Sequence, residues 1–230
     1  MFLRQLFDPE TFTYTYLVAD ELTKAAALID PVLEQHERDL KLIAELGFHL
    51  DLVLDTHVHA DHITAANALR EKTGAKTVQS SRGAPCADVP VGHGDVVRLG
   101  DVAIHVLATP GHTDDSLSYL VDGHVFTGDT LLIRGTGRSD FQNGDASALF
   151  DSITRVLFAL PDETIVLPGH DYRGLTQSTI GEEKRLNPRV AGKSRDEMIA
   201  IMTRLDLPPP KKLATAVHAN RACGRVDQPH

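Results

Sequence analysis

The chain has 230 residues, of which 42% are hydrophobic and 24% charged, a balance that excludes intrinsic disorder and supports an unstapled core. Lys and Arg total 23 against 32 Asp and Glu, giving a net charge of −9, and no basic cluster occurs. Nucleic acid and anionic membrane surfaces are therefore not expected as partners. No apolar window of about 18 residues is present, so no transmembrane helix is expected. The amino terminus, MFLRQLFDPET, shows no secretory signal, and the two cysteines cannot supply a disulfide framework or a Cys-rich zinc site. A reducing, cytoplasmic setting is the expectation.

In chain order, Thr11 to Val18 alternates β-branched and aromatic side chains and predicts a strand, as does Ala25 to Ile29. Leu33 to Leu46 carries apolar residues at helical spacing and stops at Gly47. Leu50 to Leu54 is an apolar run that leads into Thr56-His57-Val58-His59, with a helix predicted over Ile63 to Lys72. Strands are predicted at Lys76–Gln79, Val102–Leu107, Leu117–Val121, Val125–Thr127 and Thr164–Leu167, with a helix near Ala146–Phe158. The Asp122-Gly123 pair predicts a hairpin turn. Helical stretches follow at Ser178–Arg185 and Arg195–Leu205, around an Asn187-Pro188 break. The pattern is that of an α/β protein with mixed sheets.

The chemistry concentrates in His57-Val58-His59-Ala60-Asp61-His62, where three imidazoles and a carboxylate follow an apolar strand. In extended chain His57 and His59 project to one side. Nitrogen and oxygen donors without thiolates suit zinc, iron or manganese. Three later elements repeat one design, an apolar strand ending in a glycine turn that carries a donor: Gly111-His112, Gly128-Asp129 and Gly169-His170. Each of these alone is no more than a turn; in order, after the first motif, they describe a metal site.

The ordered set His57-x-His59-x-Asp61-His62, His112, Asp129 and His170 resembles the metallo-β-lactamase superfamily. That resemblance implies a four-layer αββα sandwich over about residues 1–175, with residues 176–230 as a carboxy-terminal extension packed on the same domain. Thr127 to Gln142, Gly169 to Gly174, Glu182 to Arg189 and Ala219 to Gly224 are similar to segments of the persulfide dioxygenases within it. The Asp114-Asp115 pair after Thr113 departs from the Pro-Gly of many relatives. The family implies a mononuclear Fe(II) site of His57, His112 and Asp129. His59, Asp61, His62 and His170 then surround the ligands and hydrogen-bond metal-bound water. The implied substrates are glutathione persulfide and O₂, giving sulfite and glutathione in sulfide catabolism. Arg138 and Tyr172, with Arg221 behind them, are the implied holders of the glutathione carboxylates, and a homodimer is compatible with the family.

The competing assignment is a dinuclear zinc hydrolase of glutathione thioesters, similar to glyoxalase II, in which all seven donors bind metal and Asp129 bridges. A non-catalytic metal-binding or sulfur-carrier protein is a further alternative. Asp55 reads equally as a partner of the ligands or as a strand-terminal hydrogen-bonding group. Cys223 reads as a packed structural thiol, and Cys86 carries no signal.

Overall fold

The computed structural model describes residues 1–209 and 212–225. The described residues form two compact units, one of residues 1–91, 97–103, 209 and 212–225, the other of residues 92–96 and 104–208.

The first unit is built on a six-stranded sheet in sequence order: β1 (Phe2–Asp8), β2 (Thr13–Ala19), β3 (Ala25–Ile29), β4 (His49–Leu54), β5 (Lys76–Ser80) and β6 (Val89–Val91). β1, β2 and β3 pair antiparallel, whereas β3 through β6 run parallel. β1 escapes a periodicity search because polar Arg4 and Gln5 interrupt it and most of it is only half-buried. Leu17, Leu28, Val53 and Leu69 pack into one core with Ile43 of α1 (His36–Glu45) and Ala66 of α2 (Ala66–Thr73). Gly47, at φ 72°, ends α1 as the sequence predicts. The helix predicted from Ile63 instead starts at Ala66. The Leu33 amide takes the Ile63 carbonyl and the Ala65 amide takes the Pro31 carbonyl, so the intervening backbone is bonded outside any helix.

The second sheet has the order β12-β11-β10-β9-β8-β7, with β7 at Val96–Leu99, β8 at Val102–Ala108, β9 at Leu117–Val121, β10 at His124–Gly128, β11 at Ile165–Pro168 and β12 at Ser178–Thr179. The β9–β10 hairpin turns through Asp122 at φ 45° and Gly123 at φ 76°, as the dipeptide requires. β10 and β11 run parallel, so both release their loops at the same edge. The helix predicted over 146–158 begins as α3 (Ala146–Asp151), capped by the Asp145 carboxylate on the Ser147 and Ala148 amides. It then widens to a π turn over Ser152–Val156 and tightens to a 3₁₀ turn. Leu149 and Ile153 share a core with Val125, Val166, Ile180 of α4 (Ile180–Leu186) and Met198 of α5 (Arg195–Thr203). α6 (Leu213–Arg221), not predicted, closes the described chain.

One expectation is overturned. Cys86 and Cys223, both in the first unit, form a disulfide with Cα atoms 6.0 Å apart. A separation of 137 residues leaves no local trace in sequence, so Cys223 reads as a thiol until the fold brings its partner to it. No helix among the described residues is long and apolar enough to cross a membrane.

Candidate metal centre

In the first unit β4 ends at Leu54 and releases Asp55 to Ala65 as irregular chain. The rings of His57 and His59 lie 4.1 Å apart between centroids and those of His59 and His62 4.3 Å, so the three imidazoles gather as expected. His59, Asp61 and His62 each offer a ligand atom within 4.8 Å of the others.

Asp30, at the end of β3, organises this group, and nothing in the motif pattern pointed to it. Its Oδ1 accepts the Thr56 amide at 2.7 Å and His59 Nε2–H at 3.1 Å, and its Oδ2 accepts the Thr56 hydroxyl at 2.9 Å. Having donated its one proton, the Thr56 oxygen accepts from His57 Nδ1–H at 3.0 Å. The tautomer of His57 is thereby set, with Nε2 as the basic nitrogen. His59 Nδ1, on the other side of the ring from Asp30, is buried and has no hydrogen-bond partner among the described residues. A buried ring nitrogen without a partner is costly in a metal-free protein and, once its proton is lost, offers a lone pair to a cation. Asp30 holds φ at +52°, a left-handed backbone that a non-glycine residue adopts at a cost and that clusters at functional sites. An acidic residue closing a buried strand, before Pro31, was the available signal.

Burial by itself would lower the His59 pKa, but the charge and hydrogen bond of Asp30, helped by Asp61 and Asp55, raise it to about 9. Burial pushes Asp55 up to about 7 against the opposing charge of His59. Asp55 accepts the Thr64 hydroxyl at 2.8 Å and the Gln79 amide, and it also offers a ligand atom within 4.8 Å of those of Asp30 and His59.

In the second unit, His112, Asp129 and His170 come together at the ends of β8, β10 and β11. His112 Nδ1–H donates to the Arg138 carbonyl at 2.7 Å, which turns Nε2 toward Asp129 Oδ2 at 3.7 Å. His170 Nδ1–H donates to Asp129 Oδ1 at 2.6 Å, so one carboxylate oxygen is occupied and the other faces His112. Two glycines make this approach possible. A side-chain carbon at Gly169 would stand 2.9 Å from Asp129 Oδ1; one at Gly137 would stand 2.8 Å from His112 Nδ1 and closer still to the Asp129 carbonyl. Neither glycine has a positive φ, so space alone demands them.

The expected substrate contacts are placed unevenly. The Arg138 guanidinium is engaged by both oxygens of Asp140 at 2.6 and 2.7 Å and by the Pro208 carbonyl, and it lies over the Phe141 ring. Its service to the site runs through its carbonyl. Tyr172 is 65% exposed, with its ring stacked parallel to His170. Arg221 is exposed on α6. Both cysteines are in the disulfide, so the donors are nitrogen and oxygen only, a set suited to zinc, iron or manganese.

The profile of the metallo-beta-lactamase superfamily matches residues 8–85 and 86–170. Over 225 residues the chain is 46% identical to mouse (Mus musculus) persulfide dioxygenase ETHE1, mitochondrial, covering 96% of this chain and 88% of that protein. The crystal structure of ETHE1 from Myxococcus xanthus superposes with a TM-score of 0.97 at 65% identity, over 98% of this chain and all of that one. A hydroxyacylglutathione hydrolase from Rhodobacter capsulatus is 37% identical, but over only 70% of this chain and 63% of its own.

Proposed function

Since the chain belongs to the metallo-beta-lactamase superfamily and has its two-sheet α/β fold, we propose that it acts there as a persulfide dioxygenase oxidising glutathione persulfide with O₂ to sulfite and glutathione. The carrying observation is the extent of the likeness. It runs through 96% of the chain to a persulfide dioxygenase, while the thioester hydrolase matches only part. The reaction balances as G–S–SH + O₂ + H₂O → G–SH + H₂SO₃: the outer sulfur is oxidised, the S–S bond breaks, and O₂ accepts four electrons.

We assign the metal as one Fe(II), held by His57, His112 and Asp129. Supporting this, both imidazoles have Nδ1–H committed to protein acceptors, which leaves Nε2 basic, and Asp129 keeps one oxygen away from His170. Two imidazoles and one carboxylate are the donor set of non-haem Fe(II) oxygenases. When bound, the iron would supply open positions and a redox-active centre through which electrons pass from the outer sulfur to O₂. The protein supplies fixed donors. Thr56 and the Arg138 carbonyl lock two ring tautomers, and His170 fixes the rotation of the Asp129 carboxylate. His59, Asp61 and His62 stand outside the ligand set and carry the protons of water held nearby. Tyr172, Arg221 and Arg138 are our candidates for holding the glutathione carboxylates; Tyr172 and Arg221 are exposed, whereas the Arg138 guanidinium would have to exchange Asp140 for the substrate.

We read the segment from residue 176 as an extension shared by the two units: Ile180, Met198 and Met202 join the core of the second, and the described residues from 209 group with the first. A cytoplasmic homodimer, with neither nucleic acid nor membrane as partner, completes the proposal, in keeping with the net charge of −9. The test is elemental analysis of protein purified without added metal, with O₂ uptake on glutathione persulfide. About one iron per chain with O₂ uptake is expected from a three-ligand site. Two zinc ions with thioesterase activity and no O₂ uptake would reject the assignment.

A further inference from the structure

Far along the chain from the histidine motif, α6 delivers the buried Asn220 onto the segment between His59 and Thr64, all within the first unit. Its side-chain amide donates to the carbonyls of His59 at 2.9 Å and His62 at 2.8 Å, and accepts the Thr64 amide at 2.9 Å. Three backbone groups of an irregular, donor-bearing segment are thus satisfied by one side chain. Only an amide carries two donors and an acceptor in this plane. Aspartate would leave two buried carbonyls unpaired and add a charge; alanine would leave three groups unpaired.

The end of the helix is seated just as tightly. Cys223 adopts φ 58° and its carbonyl accepts the Asn67 amide at 2.9 Å. Gly224 comes so near the Thr64 carbonyl that a side-chain carbon would collide with it. Cys223, fully buried, is then tied to Cys86, a half-buried residue of the loop after β5. The tie therefore lies three residues from the amide that holds the metal segment.

We propose that Asn220 is a positioning residue for the metal-bearing segment and that the Cys86–Cys223 disulfide is the thiol-labile clasp that keeps it seated. The proposal rests on the metal-dependent function above and adds a regulation to it. Disulfides in a glutathione-buffered compartment are usually transient ones that cycle. Opening balances as two R–SH giving one R–S–S–R, with Cys86 and Cys223 each gaining a hydrogen. A thiolate reaches the Cys86 sulfur first, because Cys223 is buried. Glutathione is a product of the proposed reaction, so accumulating product loosens the segment that helps to make it.

The experiment is hydrogen–deuterium exchange of the peptide spanning residues 57–67, measured on the protein as purified, before and after reduced glutathione, alongside Cys86→Ser and Asn220→Ala. Alkylation and intact mass report the disulfide, and transfer of iron to a chelator is followed in parallel. Reduction of the wild type is expected to speed exchange and iron transfer by about 10-fold, the lower range for losing a group that orients ligands. Cys86→Ser is fast with or without glutathione; Asn220→Ala is fast although its disulfide resists alkylation. Unchanged exchange after verified reduction of the wild type would overturn the clasp, and needs no variant to fold. Slow exchange in a folded Asn220→Ala would overturn the positioning role. If exchange behaves as expected but no O₂ is consumed with glutathione persulfide, the clasp stands and the dioxygenase assignment falls.

Discussion

Replacing Gly137 with alanine isolates the close approach that seats two proposed ligands. Its φ is not positive, so alanine is conformationally permitted and the whole cost is steric. The new carbon would stand 2.8 Å from His112 Nδ1, about 0.7 Å inside an ordinary contact of ~3.5 Å, and nearer still to the Asp129 carbonyl oxygen. Both neighbours are held, His112 by the Arg138 carbonyl and Asp129 by His170, so neither yields alone. Overpacking of this kind costs about 1–3 kcal/mol, a loss of about 2–12 °C in Tm for a chain of this size. A ligand displaced by roughly 1 Å costs about 100-fold in rate. Gly135→Ala is the control, because its added carbon would meet nothing nearer than 3.9 Å. Differential scanning calorimetry, iron content and O₂ uptake of the two variants decide the matter. Gly137→Ala with wild-type iron, rate and Tm would show that the approach has no part in building the site.

His170→Ala is expected to keep most of the iron and to slow turnover by about 10–100-fold, because it frees Asp129 to rotate without removing a ligand; a wild type with two metals that falls to one in the variant would reject the mononuclear assignment. At the other end of the first unit, Asp20 is held at a pKa of about 2 by the amides of Asp101 and Leu22 and the Thr23 hydroxyl. A depressed carboxylate contributes stability above its ordinary pKa of 3.8 and loses it as pH falls toward 2. The Tm gap between wild type and Asp20→Asn is therefore expected to be full above about pH 4 and to close between pH 4 and 2. A gap independent of pH would contradict that assignment.

The donors were legible in sequence because each ends an apolar strand beside a turn residue. Strand ends are where period-two hydrophobicity stops and a polar group has to be explained. The tandem histidines gather as alternation predicts, even though their segment is not a strand. What escaped was everything set by partners distant in sequence. Asp30 reads as the end of a strand until Thr56 and His59 arrive on it. Asn220 lies in a helix the sequence did not predict and Cys223 in the turn after it, and the separations of 161 and 137 residues to His59 and Cys86 erase any local pattern. Arg138 was visible as a charge, whereas its carbonyl, the group that His112 uses, is invisible in any residue code.

The parallel pairing of β10 and β11 constrains how such a chain changes length over generations. Phe126 lies opposite Leu167 and Gly128 opposite Pro168, with a one-residue shift between them that lets Asp129 and His170 emerge side by side. A single residue gained or lost within either strand would turn every following side chain to the opposite face, sending one donor away from the other. At the far end of β11, the stretch from Pro161 to Thr164 is free of that restriction, since extra residues there precede the paired positions. A scan of single-codon insertions should therefore divide sharply, with survivors in that loop and none between Val125 and Asp129 or between Val166 and His170.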